Sequence, residues 1–166
     1  TPADNHSLTS VARFDPVTKK WQALPDLPTG RSSHDAVIHD GKLYVVGGWA
    51  MHGKGKNSVW HDRVAVLDLR AQKPSWTTLP QPFQRRALSA TLCNGKIYVA
   101  GGLDASGKTT LEVDVFDLAS GKWSKAPELP GTDRLGFSPQ ICALGDRLVV
   151  STLDGRVHEL GKDGWK

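Results

Sequence analysis

Residues 41–48 have the sequence GKLYVVGG, and residues 95–102 repeat it as GKIYVAGG. A third copy, GDRLVVST at residues 145–152, keeps the apolar centre but lacks the tyrosine and the glycine pair. Self-similarity at a spacing near fifty residues is the signature of a repeat architecture. The chain is therefore predicted to consist of one structural unit repeated, with a degenerate third copy.

A second signature recurs at the same period, an aspartate followed by a tryptophan. The pairs are Asp15 with Trp21, Asp68 with Trp76 and Asp117 with Trp123, and Trp165 comes last. A tract with at least two prolines follows each of the first three tryptophans, at residues 24–28, 79–82 and 126–130. We expect the large indoles to pack between neighbouring units, since such side chains contribute most when buried.

Each unit contains four short apolar segments bounded by turn residues, a pattern typical of antiparallel strands. The predicted strands are 35–39, 42–46, 63–68 and 75–79 in one unit, and 87–93, 96–100, 112–117 and 122–126 in the next. Asp40-Gly41 and Asn94-Gly95 are favoured pairs for two-residue hairpin turns. Four strands per unit, repeated radially, describe the blades of a β-propeller.

The chain resembles the kelch-repeat family, whose motif combines a strand-ending glycine pair with a spaced tyrosine and tryptophan. The matching residues are Tyr44, Gly47, Gly48 and Trp76 in one copy, and Tyr98, Gly101, Gly102 and Trp123 in the other. The resemblance covers nearly all of residues 8–165 and gives these side chains a structural role. It implies an all-β fold, a segment of a kelch-type β-propeller. Ser151-Thr152 replaces the glycine pair in the third copy, so the loop after it is expected to take a different path.

The predicted domain is a single propeller segment, residues 1–166, of about three and a half four-stranded antiparallel blades. Residues 8–28 form a half blade, 31–82 and 85–130 are complete blades, and 135–165 are a nearly complete degenerate blade. Closed propellers typically have four to eight blades. The remaining blades are therefore expected from a longer parent chain or from a second copy.

Composition excludes several classes of protein. With 39% hydrophobic and 23% charged residues the chain is neither a disordered tail nor, lacking any apolar run of about 18 residues, a membrane protein. The net charge of +4 favours anionic partners. Basic and aromatic residues nevertheless form no continuous stripe, so nucleic acid is not expected as a partner. The first residue is Thr1, and no segment indicates a cellular compartment.

No cofactor or metal is expected. Cys93 and Cys142 lie in apolar runs and are predicted to be buried thiols, with a disulfide possible only if their strands are neighbours. A copper radical oxidase needs a tyrosine ligand, whereas both tyrosines belong to the repeat. His6, His52 and His61 lack the spacing of metal ligands.

In kelch propellers the loops between blades and those between second and third strands share one face, which generally binds partners. The loops between blades, residues 29–33, 84–86 and 131–136, carry Arg31, Arg85, Arg86 and Arg134. Guanidinium groups pair bidentately with carboxylates, so an acidic ligand is one expectation. The alternative is a scaffold role, in which each arginine is part of the repeat and bonds to backbone carbonyls of its neighbour. Arg134 is expected to be offset by one from the position of Arg31.

The longest loop between strands, residues 49–62, carries Trp49 and Trp60, which the repeat does not require, together with Lys54. Aromatic rings mixed with basic groups are typical of binding surfaces. The alternative is that both tryptophans cover the edge of the blade. His34 occupies a position that Leu88 fills in the next blade, which indicates packing.

Two functions follow from this pattern. The first is an interaction module that binds a protein or an acidic ligand on the loop face and has no catalysis of its own. The alternative is a bacterial kelch carbohydrate enzyme of the acidic-sugar mutarotase or epimerase type. In that enzyme Arg31, Arg85, Arg86 and His34 would bind the sugar carboxylate and shuttle a proton at a basic channel mouth.

Overall fold

The computed structural model describes residues 4–166 and is built from short strands. These are β1 (Val11–Asp15), β2 (Lys20–Leu24), β3 (Asp35–His39), β4 (Lys42–Val46), β5 (Trp49–Ala50), β6 (Val59–Trp60), β7 (Arg63–Asp68), β8 (Trp76–Pro80), β9 (Ser89–Cys93), β10 (Lys96–Ala100), β11 (Val113–Asp117), β12 (Lys122–Ala126), β13 (Gln140–Leu144), β14 (Arg147–Ser151), β15 (Val157–Gly161) and β16 (Gly164–Trp165). The one helix among these residues is a 3₁₀ turn, Asp133–Gly136. No described helix is long and apolar enough to cross a membrane.

The strands form three four-stranded sheets and two two-stranded ones. Blade 1 has the order β3-β4-β7-β8, blade 2 β9-β10-β11-β12 and blade 3 β13-β14-β15-β16. The pair β1-β2 is the half blade, and β5-β6 is a small hairpin in the long loop of blade 1. All pairings are antiparallel. The prediction of about three and a half antiparallel blades is confirmed.

The hairpin turns form where the sequence predicts them. Asp40 and Gly41 have φ values of 46° and 71°, and Asn94 and Gly95 have 49° and 70°. Positive φ at both central residues defines the turn whose twist matches that of the flanking strands. Strand starts are predicted less accurately. β9 begins at Ser89 instead of residue 87, because Ala87 has a φ of 50°, which an extended strand does not allow.

The hydrophobic core lies between adjacent blades and not within any one sheet. One cluster joins blades 1 and 2 and includes the buried Val46, Val64 and Val99. A second joins blades 2 and 3, and a smaller one joins the half blade to blade 1. Each blade therefore depends on its neighbour for burial, as in other repeat proteins.

The glycine pairs allow this close packing of blades. The Gly48 N–H donates to the Arg85 carbonyl at 2.8 Å, and the Gly102 N–H donates to the Gly136 carbonyl at 2.7 Å. A Cβ atom on Gly47, whose φ is +66°, would lie 2.8 Å from that same Arg85 oxygen. Glycine is thus required both by conformation and by the approach of the next blade.

The repeated tryptophans tie each blade to the one before it. The indole nitrogens of Trp76, Trp123 and Trp165 donate to the carbonyls of Pro25, Pro80 and Pro127 at 2.9, 2.9 and 3.0 Å, respectively. Trp21 occupies the same position in the half blade, yet it is 71% exposed. No described blade precedes it.

Blade 3 differs from the other two in the connection between its second and third strands. Its second and third strands are joined by a tight turn, in which the Thr152 N–H donates to the Arg156 carbonyl at 3.0 Å.

Cys93 is buried, whereas Cys142 is exposed, and both are free thiols. The prediction of a buried thiol is therefore wrong for Cys142. In β13 its neighbour Ile141 is buried while Cys142 points to the opposite face, which no described residue covers.

Candidate functional site

Three residues with positive φ mark equivalent positions in the three blades. Ser33, Ala87 and Ser138 have φ values of 53°, 50° and 49°. The Ala87 N–H donates to the Ser33 carbonyl at 3.0 Å, and the Ser138 N–H donates to the Ala87 carbonyl at 2.9 Å. Arg31 and Arg85 both lie two residues before this position, and we call them the leading arginines.

The third blade has no leading arginine. Gly136 occupies that position, and a Cβ atom there would collide with the Thr110 carbonyl oxygen. Arg134 lies two residues earlier, exposed in the 3₁₀ turn. The expected offset of one residue is therefore wrong, because the loop of blade 3 has no room for a side chain at the leading position.

Arg31 is buried and bonds only to backbone carbonyls of its own blade. One terminal nitrogen, Nη1, donates to Val45 at 3.2 Å and to Gly47 at 2.8 Å, and Nη2 donates to Arg63 at 3.1 Å. Its side chain forms no ion pair with any carboxylate of residues 4–166. Burial lowers the pKa of Arg31 to about 10. The scaffold interpretation is right about backbone carbonyls as partners but wrong about their place, since all three belong to blade 1 itself. These bonds leave the Arg31 charge without a counter-ion.

Arg85 is equally buried but has a counter-ion. Its Nη2 donates to Asp114 Oδ2, and its guanidinium carbon lies 4.3 Å from the centre of the Phe83 ring. Lys125 Nζ lies 2.7 Å from Asp114 Oδ1 and 3.0 Å from Glu112 Oε2. Two cations and two carboxylates therefore form a cluster without net charge, in which Arg85 and Asp114 are buried and Lys125 and Glu112 are partly exposed.

Sequence reasoning missed Asp114, which is fully buried in the third strand of blade 2. Aligned third strands could have revealed it, since residues 64–68 are VAVLD and residues 113–117 are VDVFD. Ala65 thus stands in blade 1 where Asp114 stands in blade 2. A carboxylate in the middle of an apolar strand indicates a buried cationic partner.

Arg86, Trp49 and Trp60 come together on the loop side of blades 1 and 2, and we call them the Arg86 platform. The Arg86 guanidinium carbon lies 4.3 Å from the centre of the Trp49 ring and 5.8 Å from that of Trp60. The two rings are 5.4 Å apart because the two tryptophans pair directly across β5 and β6. The Arg86 side chain makes no hydrogen bond or ion pair with residues 4–166.

The loop that carries the platform is anchored at its base. The Ser7 N–H donates to the Met51 carbonyl at 3.0 Å, and the Met51 N–H donates to Ser7 Oγ at 2.9 Å. Lys54 lies exposed in the turn beyond this anchor. The tryptophans are therefore held on a fixed hairpin, while the lysine points into solvent.

Two histidines lie close to Arg31. His61 Nε2 is 3.1 Å from the Gly30 carbonyl oxygen and donates to it. Burial and the Arg31 charge lower the pKa values of both His61 and His34, which favours the neutral imidazoles. Among residues 4–166 no group of three potential metal ligands comes together.

The structure thus divides the predicted site residues into separate groups. Trp49, Trp60 and Arg86 form the platform, and Arg31 lies near His34. Arg85 is enclosed in its ion cluster. Lys54 and Arg134 are exposed and belong to none of these groups.

Comparison with known proteins gives consistent matches. The family described as KLHDC2/KLHL20/DRC7 Kelch-repeats domain matches residues 2–158. Kelch-like protein 35 of Mus musculus is 34% identical over 155 residues, which are 93% of this chain and 23% of that protein. N-acetylneuraminate epimerase 1 of Escherichia coli O6:H1 is 32% identical over 120 residues, 69% of this chain and 30% of that protein.

A solved structure described as "Structure of YjhT" superimposes with a TM-score of 0.70 at 18% identity, covering 95% of this chain and 51% of that one. At this identity the likeness bears on the fold alone. The chain spans 23% to 30% of the length of the two curated relatives described above.

Proposed function

The chain belongs to the kelch-repeat family, and from that premise we propose that it is an interaction module whose Arg86 platform binds a carboxylate of a partner protein. The observation that carries this proposal is the Arg86 guanidinium. It is held against two tryptophan rings and has no hydrogen-bonding partner among residues 4–166. Its relatives named as kelch-like proteins support the general class.

The chemistry of the platform favours an acidic side chain next to an apolar one. A guanidinium presents paired N–H donors that match the two oxygens of a carboxylate. The tryptophan rings supply apolar contact area and fix the orientation of the cation in advance. Tryptophan and arginine are also the residues most enriched in the energetic centres of interfaces. An aspartate or glutamate beside an aliphatic residue fits this surface.

A peptide-display selection on the purified protein tests the proposal with a defined probe. Random twelve-residue peptides are selected on the native protein and then measured individually against Arg86→Ala and Trp60→Ala. We expect the enriched peptides to share an acidic residue and to lose at least tenfold in affinity with either variant. A loss of this size corresponds to about 1.4 kcal/mol, within the range of a central interface residue.

Arg134→Ala is the matched control, because it removes the same charge from an exposed arginine elsewhere. Thermal unfolding of all variants separates binding from stability. Peptides without acidic residues, or equal binding to Arg86→Ala and Arg134→Ala, would overturn the proposal.

Further blades are proposed to pack against both ends of this segment. Phe14 and Trp21 are 47% and 71% exposed at one end, and Leu144 is 53% exposed at the other. Two copies would still leave two separate half blades, each with two strands. The remaining strands are therefore better supplied by the parent chain than by a second copy. Light scattering of the purified protein distinguishes the two, since a second-copy ring requires a stable dimer.

The second candidate function is an enzyme acting on an acidic sugar. The match to N-acetylneuraminate epimerase 1 and the position of His34 close to the Arg31 charge favour it. Anomer-resolved NMR of N-acetylneuraminate, with and without the protein, tests this candidate. Anomer exchange faster than in buffer, and lost in His34→Leu, would support it, whereas an unchanged rate would exclude it.

A further inference from the structure

The third strand of each blade has one position beside the leading arginine, and the residue at that position differs between blades 1 and 2. In blade 2 it holds Asp114, whose carboxylate accepts from Arg85. In blade 1 it holds Ala65, which is 1% exposed. Arg31 donates to the Arg63 carbonyl and Arg85 to the equivalent Glu112 carbonyl, so both guanidinium groups approach the same backbone position of the third strand.

The shorter side chain of Ala65 leaves space beside Arg31. Both residues line a cavity of about 170 Å³ between the end of the half blade and the outer strands of blade 1. A water molecule occupies about 30 Å³ of liquid volume. The cavity is therefore large enough for an anion of the size of acetate.

The charges around this cavity are predominantly positive. Arg31 and Arg63 contribute two cations, and the Arg63 side chain donates to Thr78 instead of to a carboxylate. Asp62 contributes one negative charge, and His61 lies beside it with a lowered pKa. A buried cation without a counter-ion is costly, because the protein interior does not replace the solvation that the charge loses.

We propose that the cavity beside Arg31 binds a carboxylate, which takes the place that the Asp114 side chain occupies beside Arg85. The source is either a small free carboxylate or a glutamate or aspartate side chain of a partner. This site is distinct from the Arg86 platform and does not depend on the proposal that the platform binds a partner protein. It shares Arg31 with the second candidate function, the acidic-sugar enzyme.

Calorimetric titration with sodium acetate at constant ionic strength tests the site, with acetamide as the uncharged analogue. We expect saturable binding of acetate at one site and no binding of acetamide. Ala65→Asp fills the cavity with an internal carboxylate and should weaken acetate binding at least tenfold. Val17→Asp is the matched control, because it adds the same charge at a residue that is 88% exposed.

The reverse substitution provides an independent arm. Asp114→Ala removes the main counter-ion of Arg85 and leaves Glu112 3.7 Å from its Nη1. Acetate should therefore bind that variant at two sites, more weakly beside Arg85 than beside Arg31. Acetyl-Gly-Glu-Gly-amide and its glutamine analogue distinguish the sources, since binding of the glutamate peptide assigns the site to a side chain and binding of acetate alone assigns it to a free anion. Absence of saturable acetate binding, equal binding of acetamide, or unchanged binding in Ala65→Asp would overturn the proposal.

Discussion

Blades 1 and 2 share one backbone plan but treat their leading arginines differently. Arg85 is enclosed with Asp114, and its charge is neutralised inside the protein. Arg31 makes the carbonyl bonds of the scaffold, yet Ala65 leaves it without a counter-ion. The comparison shows that equivalent positions of a repeat can have the same backbone structure and different side-chain chemistry. The anion site proposed beside Arg31 lies where blade 1 differs from blade 2 in this way.

The largest change in the free energy of unfolding is expected when blade 2 is made to resemble blade 1. Asp114→Ala leaves Arg85 buried without its main counter-ion and should lower the free energy of unfolding by about 3–5 kcal/mol. Urea denaturation measures the loss, and Asp133→Ala, an exposed aspartate of the same charge, is the control. A loss below about 1 kcal/mol would mean that the two blades do not differ as described.

A second comparison concerns the position three residues after each leading arginine. Leu88 is 6% exposed in the core between blades, so Leu88→Ala should cost about 2–5 kcal/mol. His34 at the same position is partly desolvated by its neighbours, yet a large part of its surface remains exposed. His34→Ala should therefore change stability by about 0.5 kcal/mol or less. Equal losses in chemical denaturation would show that His34 packs as Leu88 does.

Ala65→Asp makes the opposite change, because it gives blade 1 the carboxylate that blade 2 has at the equivalent position. A hydrogen bond to a charged group contributes about 1.5–3 kcal/mol, and burial of the new carboxylate offsets part of it, which leaves an expected gain of about 1 kcal/mol. The unfolding free energy at pH 7 measures this gain. A net destabilisation would argue that the space beside Arg31 does not accept a carboxylate.

The smallest expected effect is on the pH dependence of the folded protein's stability. Because the pKa of His61 is lowered in the folded state, the unfolded chain binds the proton more readily. The contribution of His61 to stability is therefore present above its ordinary pKa of about 6.5 and is lost as the pH falls through the folded value. Thr110 is the equivalent residue of blade 2, and His61→Thr should make the decline between pH 7 and pH 5 shallower. An unchanged pH profile would assign the decline to other groups.

The sequence predicts the parts of this molecule that repeat. The tyrosines, the glycine pairs and the spaced tryptophans specify blades 1 and 2, because each has the same packing role in both of these copies. The positive φ of Ala87 has no comparable signal, since alanine rarely adopts that conformation and only the contact between blades imposes it. The sequence therefore predicts the start of β9 two residues too early.

The candidate site is less accessible from sequence, because its contacts join distant residues. Arg31, Arg85 and Arg86 look alike in the sequence. Only the fold shows that Arg31 lacks a counter-ion, that Arg85 is paired with Asp114 and that Arg86 lies against two tryptophan rings. The alternatives stated for these arginines therefore apply to different residues: the carbonyl bonds describe Arg31, while a free guanidinium describes Arg86.

The difference between the leading arginines is tested most directly by NMR of their guanidinium carbons, ¹³Cζ, between pH 8 and pH 11.5. Near-ultraviolet circular dichroism on the same samples confirms that the protein stays folded. Arg31, with a pKa of about 10, should lose its proton within this range. Burial also lowers the pKa of Arg85, but the charge of Asp114 opposes that shift, so Arg85 should titrate at higher pH than Arg31. An Arg31 signal that does not titrate, or an Arg85 signal that titrates first, would contradict the account.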